Sequence, residues 1–224
     1  DFKVELSQWP FLVMRNLAGI ASMLLTFYAI KYLPISIAVL LMNTSALFVP
    51  LLLFVLRTRT PLKVLACSFL GFAGVSIIML TDSSKHFELQ HIGYALGAAF
   101  LAAMAFISLQ ELNKHNSPKN IVFYFHLLGS LLLPLFFATQ WTIPSAQGFV
   151  LLLLVGGFGL VFQLLLTRAF KYAPANVITP FAFTGVIFSS ICDWLFWHNV
   201  PTLNFWIGSL VIIVSVSLLA KIRR

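Results

Sequence analysis

The sequence predicts an all-α integral membrane protein with eight transmembrane helices, arranged as an inverted-topology repeat. Three observations predict this fold class. First, 60% of the 224 residues are hydrophobic and 9% are charged, whereas soluble domains carry about 25% charged residues. Second, the apolar residues form runs close to the ~20 residues that span a bilayer. Third, a segment with distinctive lysine, tyrosine and proline residues occurs twice.

The first three segments are delimited by prolines and a polar cluster. Proline is tolerated in the first turn of a helix and stops a helix elsewhere, so Pro34 separates the first segment from the second. Residues 57–60, followed by Pro61, separate the second from the third. We therefore expect helices at about 11–30, 35–56 and 62–81.

The remaining five segments are delimited in the same way. Polar residues separate them at 82–85, 113–118 and 198–201, and Pro144 and Pro174 mark two further starts. Each segment should be helical, because lipid offers no hydrogen-bond partner to an open backbone. We expect these helices at about 92–112, 120–139, 146–168, 174–197 and 203–221.

Lysine and arginine residues are distributed unequally between the two membrane faces. Counting segments places only Lys31 and Lys85 on one face and the other twelve of the 14 on the opposite face, with Arg15 snorkelling to that richer face. Positive residues concentrate on the cytoplasmic side, so both ends of the chain should be cytoplasmic. The net charge of +8 then faces anionic lipid, and nucleic acid is not an expected partner.

A repeated segment relates the two parts of the chain. Lys31-Tyr32-Leu33-Pro34 occurs again as Lys171-Tyr172-Ala173-Pro174, an offset of 140 residues (171 minus 31). Further identical pairs at this offset are Gly19 and Gly159, Thr44 and Thr184, and Pro61 and Pro201. The offset carries the first segment onto the sixth, an odd number of crossings, so the two copies should cross the membrane in opposite directions. Such inverted repeats are typical of secondary transporters.

The repeat divides the chain into two unequal units. Residues 82–224 would form a complete repeat of five helices, and residues 1–81 would form the last three helices of a second repeat. We therefore expect an N-terminally truncated form of a five-plus-five protein, in which the first two helices are missing. A natural eight-helix protein is the alternative.

Several stretches of the chain share the pattern of one protein family. They are Arg15–Gly19, Tyr28–Ala38, Arg168–Val177 and Pro201–Leu219. These stretches resemble the drug/metabolite transporter superfamily, in its EamA-type branch. The resemblance implies ten helices, cytoplasmic termini, a location in the bacterial inner (plasma) membrane, and transport of small metabolites.

We interpret the chain as a secondary transporter that works by alternating access, with amino-acid-like, nucleoside-like or S-adenosylmethionine-like solutes as substrates. A non-transporting membrane scaffold or an intramembrane enzyme is the alternative, although catalytic activity is not expected. Proton-coupled exchange and facilitated diffusion both stay open. The expected partners are the small-molecule substrate, the lipid bilayer and, in a homodimer, a second copy of the chain.

Polar residues deep within apolar segments are the candidate site residues, because such residues are costly in lipid and usually face a cavity or another helix. The substrate-binding candidates are Asn16, Asn43, Thr44, Gln163 and Thr184. We expect a central cavity between the second, sixth and seventh segments, with the last four of these residues on its wall. A helix–helix hydrogen bond is the alternative role for each.

The carboxylate of Asp193 lies inside the seventh predicted segment and is a candidate proton site. The alternative is that it reaches the outer interface beside Trp194 and Trp197. No metal site or cofactor is expected, because the five histidines are scattered and both cysteines lie in apolar runs. Glu111 should pair with Lys114, three residues further along the helix.

Overall fold

The computed structural model is helical throughout the part of the chain that it describes, which comprises residues 4–33, 35–56, 61–79, 88–137, 142–198, 200 and 202–222. No strand occurs in these residues. Their α-helices are, in order, α1 (Trp9–Tyr32), α2 (Ile35–Asn43), α3 (Ser45–Val55), α4 (Leu62–Met79), α5 (Leu89–Leu112), α6 (Pro118–Phe137), α7 (Ala146–Tyr172), α8 (Ala175–Ile178), α9 (Thr184–Trp197) and α10 (Leu203–Ile222). Short 3-10 helices lie at Leu6–Gln8 and Thr179–Phe183.

Four of these helices, α1, α5, α6 and α7, are long and apolar enough to cross a membrane. Shorter apolar helical stretches lie at Leu41–Val55, Leu62–Ile78, Ala175–Phe188 and Leu203–Leu219. Each of the predicted segments therefore overlaps one apolar helical stretch. The composition and length of these helices are those of a membrane protein.

Two segments that we predicted as unbroken helices are interrupted. The second segment breaks at Thr44, between α2 and α3, and the seventh contains a 3-10 helix that ends just before Thr184. At both points the threonine Oγ1 donates a hydrogen bond to a carbonyl three residues earlier, at 2.5 Å to Leu41 and 2.7 Å to Phe181. Such side-chain bonds compete with the backbone hydrogen bonds of a regular helix, and a hydropathy profile does not predict them.

The two copies of the repeated tetrad have the same local structure. Leu33 and Ala173 both follow the end of a long helix and are extended, with ψ angles of 149° and 155°. Their N–H groups donate to the carbonyls of Ala29 and Ala169, at 2.8 and 3.3 Å. A residue before proline is disfavoured in the helical region, so the tetrad ends both helices at the same point.

Helices α1 and α5 pack closely and run antiparallel. Small residues on α5, including Ala95 and Ala98, are fully buried at this contact, because small side chains let two membrane helices approach closely. Ser22 Oγ donates to the carbonyl of Ala98 at 2.8 Å. Further along α1, Tyr28 lies against Tyr94, which is earlier in α5, with ring centroids 5.9 Å apart. As residue numbers rise along α1, the numbers of the contacting residues on α5 fall, so the two helices run antiparallel.

Helices α4 and α10 form a second close antiparallel pair. Gly74 lies against Gly208 and Ile212, and a Cβ atom at Gly74 would be 2.8 Å from the carbonyl oxygen of Gly208. One turn further along α4, Ile78 lies against Gly208, whereas Gly71 contacts Ser215. The two backbones approach this closely because neither glycine carries a side chain.

Helix α7 differs from these pairs because its central face has few neighbours. Every residue from position 149 to position 162 is exposed. Gly156, Gly157 and Gly159 would allow another helix to approach closely, but nothing in the described part of the chain lies within 4 Å of a Cβ atom built at these positions. The C-terminal part of α7 is packed, and Phe170 joins a core cluster with Leu109.

Candidate functional site

The site is built around Arg15, in the second turn of α1. We expected this side chain to snorkel to the membrane surface, but it is only 4% exposed. It lies six residues after the first residue of α1, which corresponds to about 9 Å along the helix axis. A guanidinium stays protonated at neutral pH, so the structure buries a positive charge among apolar helices.

The surroundings of Arg15 compensate this charge only in part. Its Nη2 donates a hydrogen bond to Gln163 Oε1 on α7 at 3.0 Å, and its Cζ lies 4.4 Å from the ring centroid of Phe125 on α6. Cation–π contacts at this distance are favourable. The Nε atom is buried and has no hydrogen-bond partner among the described residues. Gly19 makes room for the guanidinium, because a Cβ atom there would collide with it.

None of the carboxylates described in the structure pairs with Arg15. The chain has six acidic residues, and the structure describes the side chains of Glu5, Glu88 and Glu111. Glu5 accepts from Ser7, Glu88 lies 3.7 Å from His91, and Glu111 lies 2.6 Å from Lys114. The last contact confirms the predicted Glu111–Lys114 pair. Within the described part of the chain, the Arg15 guanidinium is therefore a buried cation without an anionic partner.

One cavity contacts the Arg15 side chain, and a second cavity adjoins the first. The first, here called the Arg15 pocket, has a volume of about 160 Å³ and is lined by Arg15, Ser22, Phe125 and Gln163, among others. The second, here called the Thr184 cleft, has a volume of about 850 Å³ between α5, α7 and α9. Three residues line both cavities, namely Phe106, Phe162 and Leu166. Most of the larger cleft is apolar, and five of its lining residues are aromatic.

The structure distributes the predicted substrate-binding residues over different places. Gln163 lines the Arg15 pocket, and Thr184 lines the adjoining cleft. Asn16 is buried on α1, and its Oδ1 has no hydrogen-bond partner within the described ranges. Thr44 is buried, and its Oγ1 donates to the carbonyl of Leu41 in α2, while Asn43 is half-buried. Neither residue lines either of these two cavities.

The candidate proton site lies partly outside the described residues. The backbone of Asp193 belongs to α9, but its side chain is not among those that the structure describes. Across the described ranges, no group of three or more histidine, cysteine or acidic residues has an arrangement that would hold a metal ion.

A third cavity, of about 330 Å³, lies where α5 and α7 end, and it brings Lys114 and Lys171 together. Its wall is held by polar contacts to the backbone: Asn113 Nδ2 donates to the carbonyl of Thr167 at 3.1 Å. Gln110 Oε1 accepts from the N–H of Ala175, the first residue of α8, at 2.5 Å. Both lysines were assigned to the richer face from the sequence, and the structure places them on one cleft.

Sequence reasoning missed Arg15 and Phe125 as site residues. Arg15 was treated as an interfacial charge, because a long side chain near a helix end commonly reaches water. Its position inside the first predicted segment was the available signal, since ionisable residues within transmembrane helices usually face the interior of the bundle. Phe125 is one of 23 phenylalanines, and nothing in the sequence distinguishes it.

Part of this chain matches a known protein family. Residues 90–221 match the EamA-like transporter family, and this match covers more than half of the 224 residues. The chain belongs to the EamA-like transporter family. Together with its apolar helices, this membership makes it a multi-pass membrane protein, and the family resemblance read from the sequence is confirmed.

Other members of the family have been named for what they transport. The chain is 29% identical over 218 residues to a pseudopaline exporter of Pseudomonas aeruginosa, covering 96% of this chain and 76% of that protein. It is 30% identical over 211 residues to a riboflavin transporter of Brucella anthropi, covering 90% and 72%. It is 22% identical over 206 residues to an S-adenosylmethionine uptake transporter of Rickettsia bellii, covering 91% and 70%. These EamA-like relatives are transporters of small molecules.

The fold of this EamA-like chain also occurs in solved structures. One crystal structure superposes with a TM-score of 0.79 at 14% sequence identity, covering 96% of this chain and 78% of the other. At this level of identity the likeness concerns the fold alone.

Proposed function

We propose that the chain is a secondary transporter that moves small metabolites across the bacterial inner membrane by alternating access. In this proposal residues 1–81 and 82–224 are two repeats of opposite orientation, and both termini are cytoplasmic. The protein carries no catalytic activity of its own. The Arg15 pocket and the Thr184 cleft together form the solute site.

The observation that carries this proposal is the pair of helix interruptions at Thr44 and Thr184. The first is at Thr44, and the second is the 3-10 helix that ends next to Thr184. The two threonines lie 140 residues apart (184 minus 44), which is the offset of the sequence repeat, and each bonds back to a carbonyl three residues earlier. Discontinuous helices at corresponding positions of two repeats are typical of transporter solute sites. One of the two interruptions borders the Thr184 cleft.

The direction of the helices supports the opposite orientation of the two repeats. The same offset relates α4 to α10, and these helices run antiparallel in close contact. Mates that cross a membrane in opposite directions have this relationship. The shared cleft of Lys114 and Lys171 supports the assignment of these lysines to one face.

The size and lining of the cavities support a small-molecule substrate. Binding sites for small molecules have volumes of about 300–1,000 Å³ and combine apolar walls with a few polar groups, as the Thr184 cleft does. Relatives named for pseudopaline, riboflavin and S-adenosylmethionine make amino-acid-like and nucleoside-like solutes the first to test.

Solute flux into proteoliposomes tests the proposal. We expect the purified protein to exchange at least one of a panel of such solutes, detected by mass spectrometry, and Gly185→Phe to abolish this exchange. Gly185 lines the cleft, and beyond its own stretch of helix no atom of the described residues lies within 4 Å of a Cβ atom built there, so a phenyl ring at this position should fit into the cleft.

Gly157→Phe is the matched control, because this glycine also has open space around it and lies outside the cleft. It should leave both flux and thermal stability unchanged. Equal flux in both variants would remove the cleft from the pathway, and no flux in any protein would favour the scaffold interpretation. Repeating the assay with and without a pH gradient separates proton-coupled exchange from facilitated diffusion.

A further inference from the structure

We propose that the solute is an organic anion, whose carboxylate or phosphate group binds Arg15 and Gln163 while its apolar body occupies the Thr184 cleft. This inference rests on the proposed transport function and names the substrate class of the same site. It is carried by the buried guanidinium and by the two cavities that meet beside it.

The buried charge of Arg15 favours an anionic ligand. Arg15 is 4% exposed, and a buried cation is unfavourable unless it has a charged or strongly hydrogen-bonding partner. Gln163 supplies one neutral acceptor, and the Nε atom is buried without a partner in the described part of the chain. An anion in the Arg15 pocket would give the guanidinium a charged partner, whereas a cation would increase the repulsion.

The N–H groups of Arg15 and Gln163 suit the oxygens of a carboxylate or a phosphate. A guanidinium presents several N–H groups in a planar fork that matches a carboxylate or a phosphate. The Gln163 oxygen accepts from Arg15, which leaves the amide nitrogen with two N–H groups that can donate to a ligand. Both side chains line the Arg15 pocket, and they therefore offer donors to a single oxyanion.

The two cavities differ in volume, and each suits a different part of the solute. The Arg15 pocket has a volume of about 160 Å³, several times the ~30 Å³ that one water occupies in the liquid. It accommodates an anionic group but not a whole metabolite. The adjoining cleft of about 850 Å³ includes Phe106, Phe162 and Phe181 in its lining. The pair of cavities thus fits a molecule with a compact anionic group on an aromatic or aliphatic body.

Thermal stability of the purified full chain, measured with small probes, tests the inference without requiring transport. The probes are benzoate and phenyl phosphate as anions, benzamide as the neutral counterpart and benzamidine as the cation. We expect both anions to raise the Tm and the other two to leave it unchanged, because only a ligand that binds the folded state stabilises it. A Tm response that is equal for benzoate and benzamide would overturn the inference.

Two substitutions locate the response. Arg15→Gln should abolish the Tm rise with both anions, whereas Arg168→Gln, which removes an exposed arginine on α7, should retain it. An unchanged response in Arg15→Gln would exclude Arg15 as the anion partner.

A third substitution keeps the inference testable if Arg15→Gln does not fold. Gln163→Glu places a carboxylate 3.0 Å from Arg15 Nη2 and so supplies the anion from the protein itself. It should raise the Tm of the free protein and remove the response to benzoate. A folded Gln163→Glu variant whose Tm rises with benzoate as much as that of the wild type would contradict the inference.

Two further outcomes separate this inference from its alternatives. If phosphatidylglycerol, but not phosphatidylcholine, raises the Tm and suppresses the benzoate response, a lipid headgroup rather than a solute occupies the pocket, and the substrate assignment is wrong. If the anions bind as expected but no organic anion crosses a proteoliposome membrane, the anion site stands and the transport function fails.

Discussion

Gly74 and Gly208 determine how closely α4 and α10 approach at the scale of single residues. A Cβ atom at Gly74 would lie 2.8 Å from the carbonyl oxygen of Gly208, which belongs to the backbone and cannot rotate away. Gly74→Ala therefore forces the two helices apart, and overpacking of this kind typically costs about 1–3 kcal/mol. We expect a lower midpoint in thermal or detergent unfolding.

Gly93→Ala is the control for this prediction. Gly93 is also within a helix, but among the described residues nothing beyond its own stretch of helix lies within 4 Å of a Cβ atom built there. Because alanine is a better helix former than glycine, stability should stay the same or rise slightly. Equal losses in the two variants would contradict a specific contact between α4 and α10.

Site residues could be predicted from the sequence only where polarity and position agreed. Gln163 is an amide within an apolar segment, so the cost of an unpaired amide in lipid singled it out. Arg15 carries a buried charge, whereas Gln163 is neutral, yet Arg15 lies near a helix end, where a long side chain can either reach water or turn into the protein. The choice between them depends on Gln163 and Phe125, which are more than 100 residues away in sequence. Local reasoning has no access to such contacts.

At the scale of elements, the two interrupted segments lead to a prediction about threonine. Thr44→Val and Thr184→Val remove one neutral hydrogen bond each, which contributes about 0.5–1.5 kcal/mol. If the interruptions bend during the transport cycle, the double variant should lose flux several-fold while its Tm falls only slightly. Flux of a known solute and the Tm should be measured on the same preparation.

Thr26→Val is the matched control, since Thr26 lies in the uninterrupted part of α1. It should affect neither quantity. A double variant that transports at the wild-type rate would show that the threonine bonds do not control the movement.

The lengths of the helices could be predicted well, and their interruptions could not. The ends of α1 and α5 lie within three residues of the predicted bounds, because prolines and polar clusters mark where a helix leaves the apolar region. The break at Thr44 has no such mark. Threonine is common within membrane helices, and its bond to Leu41 depends on a side-chain rotamer and a local backbone shift.

At the scale of the whole molecule, the charge distribution predicts the orientation in the membrane. Reporter domains fused after Arg224 and inserted near Lys85 should report opposite sides, with the C-terminus in the cytoplasm. The physical reason is the excess of lysine and arginine on one face. A reporter in the 114–117 connection should agree with the C-terminal one, and both reporters on the side of Lys85 would contradict the topology.

The fold class was accessible from the sequence because it depends on quantities that add along the chain. Hydrophobic content, the spacing of prolines and the 140-residue offset between Lys31 and Lys171 are all of this kind. The pairing of α1 with α5 was only partly accessible. Small residues on α5 indicated that some helix approaches it, but they did not identify α1 as that partner.

The two threonine bonds have a consequence for the direction of movement. In each bond a threonine Oγ1 donates to a carbonyl three residues earlier, at 2.5 and 2.7 Å, so the chemical kind of the bond does not distinguish the two interruptions. A difference of about 1.4 kcal/mol would already favour one conformation tenfold, and nothing in these bonds supplies it. In the proposed function net flow follows the chemical potential of the solute, and the same molecule would run in either direction as the gradient reverses. A bias between the two conformations would change the rates at which solute is loaded and released, but not the direction of net flow.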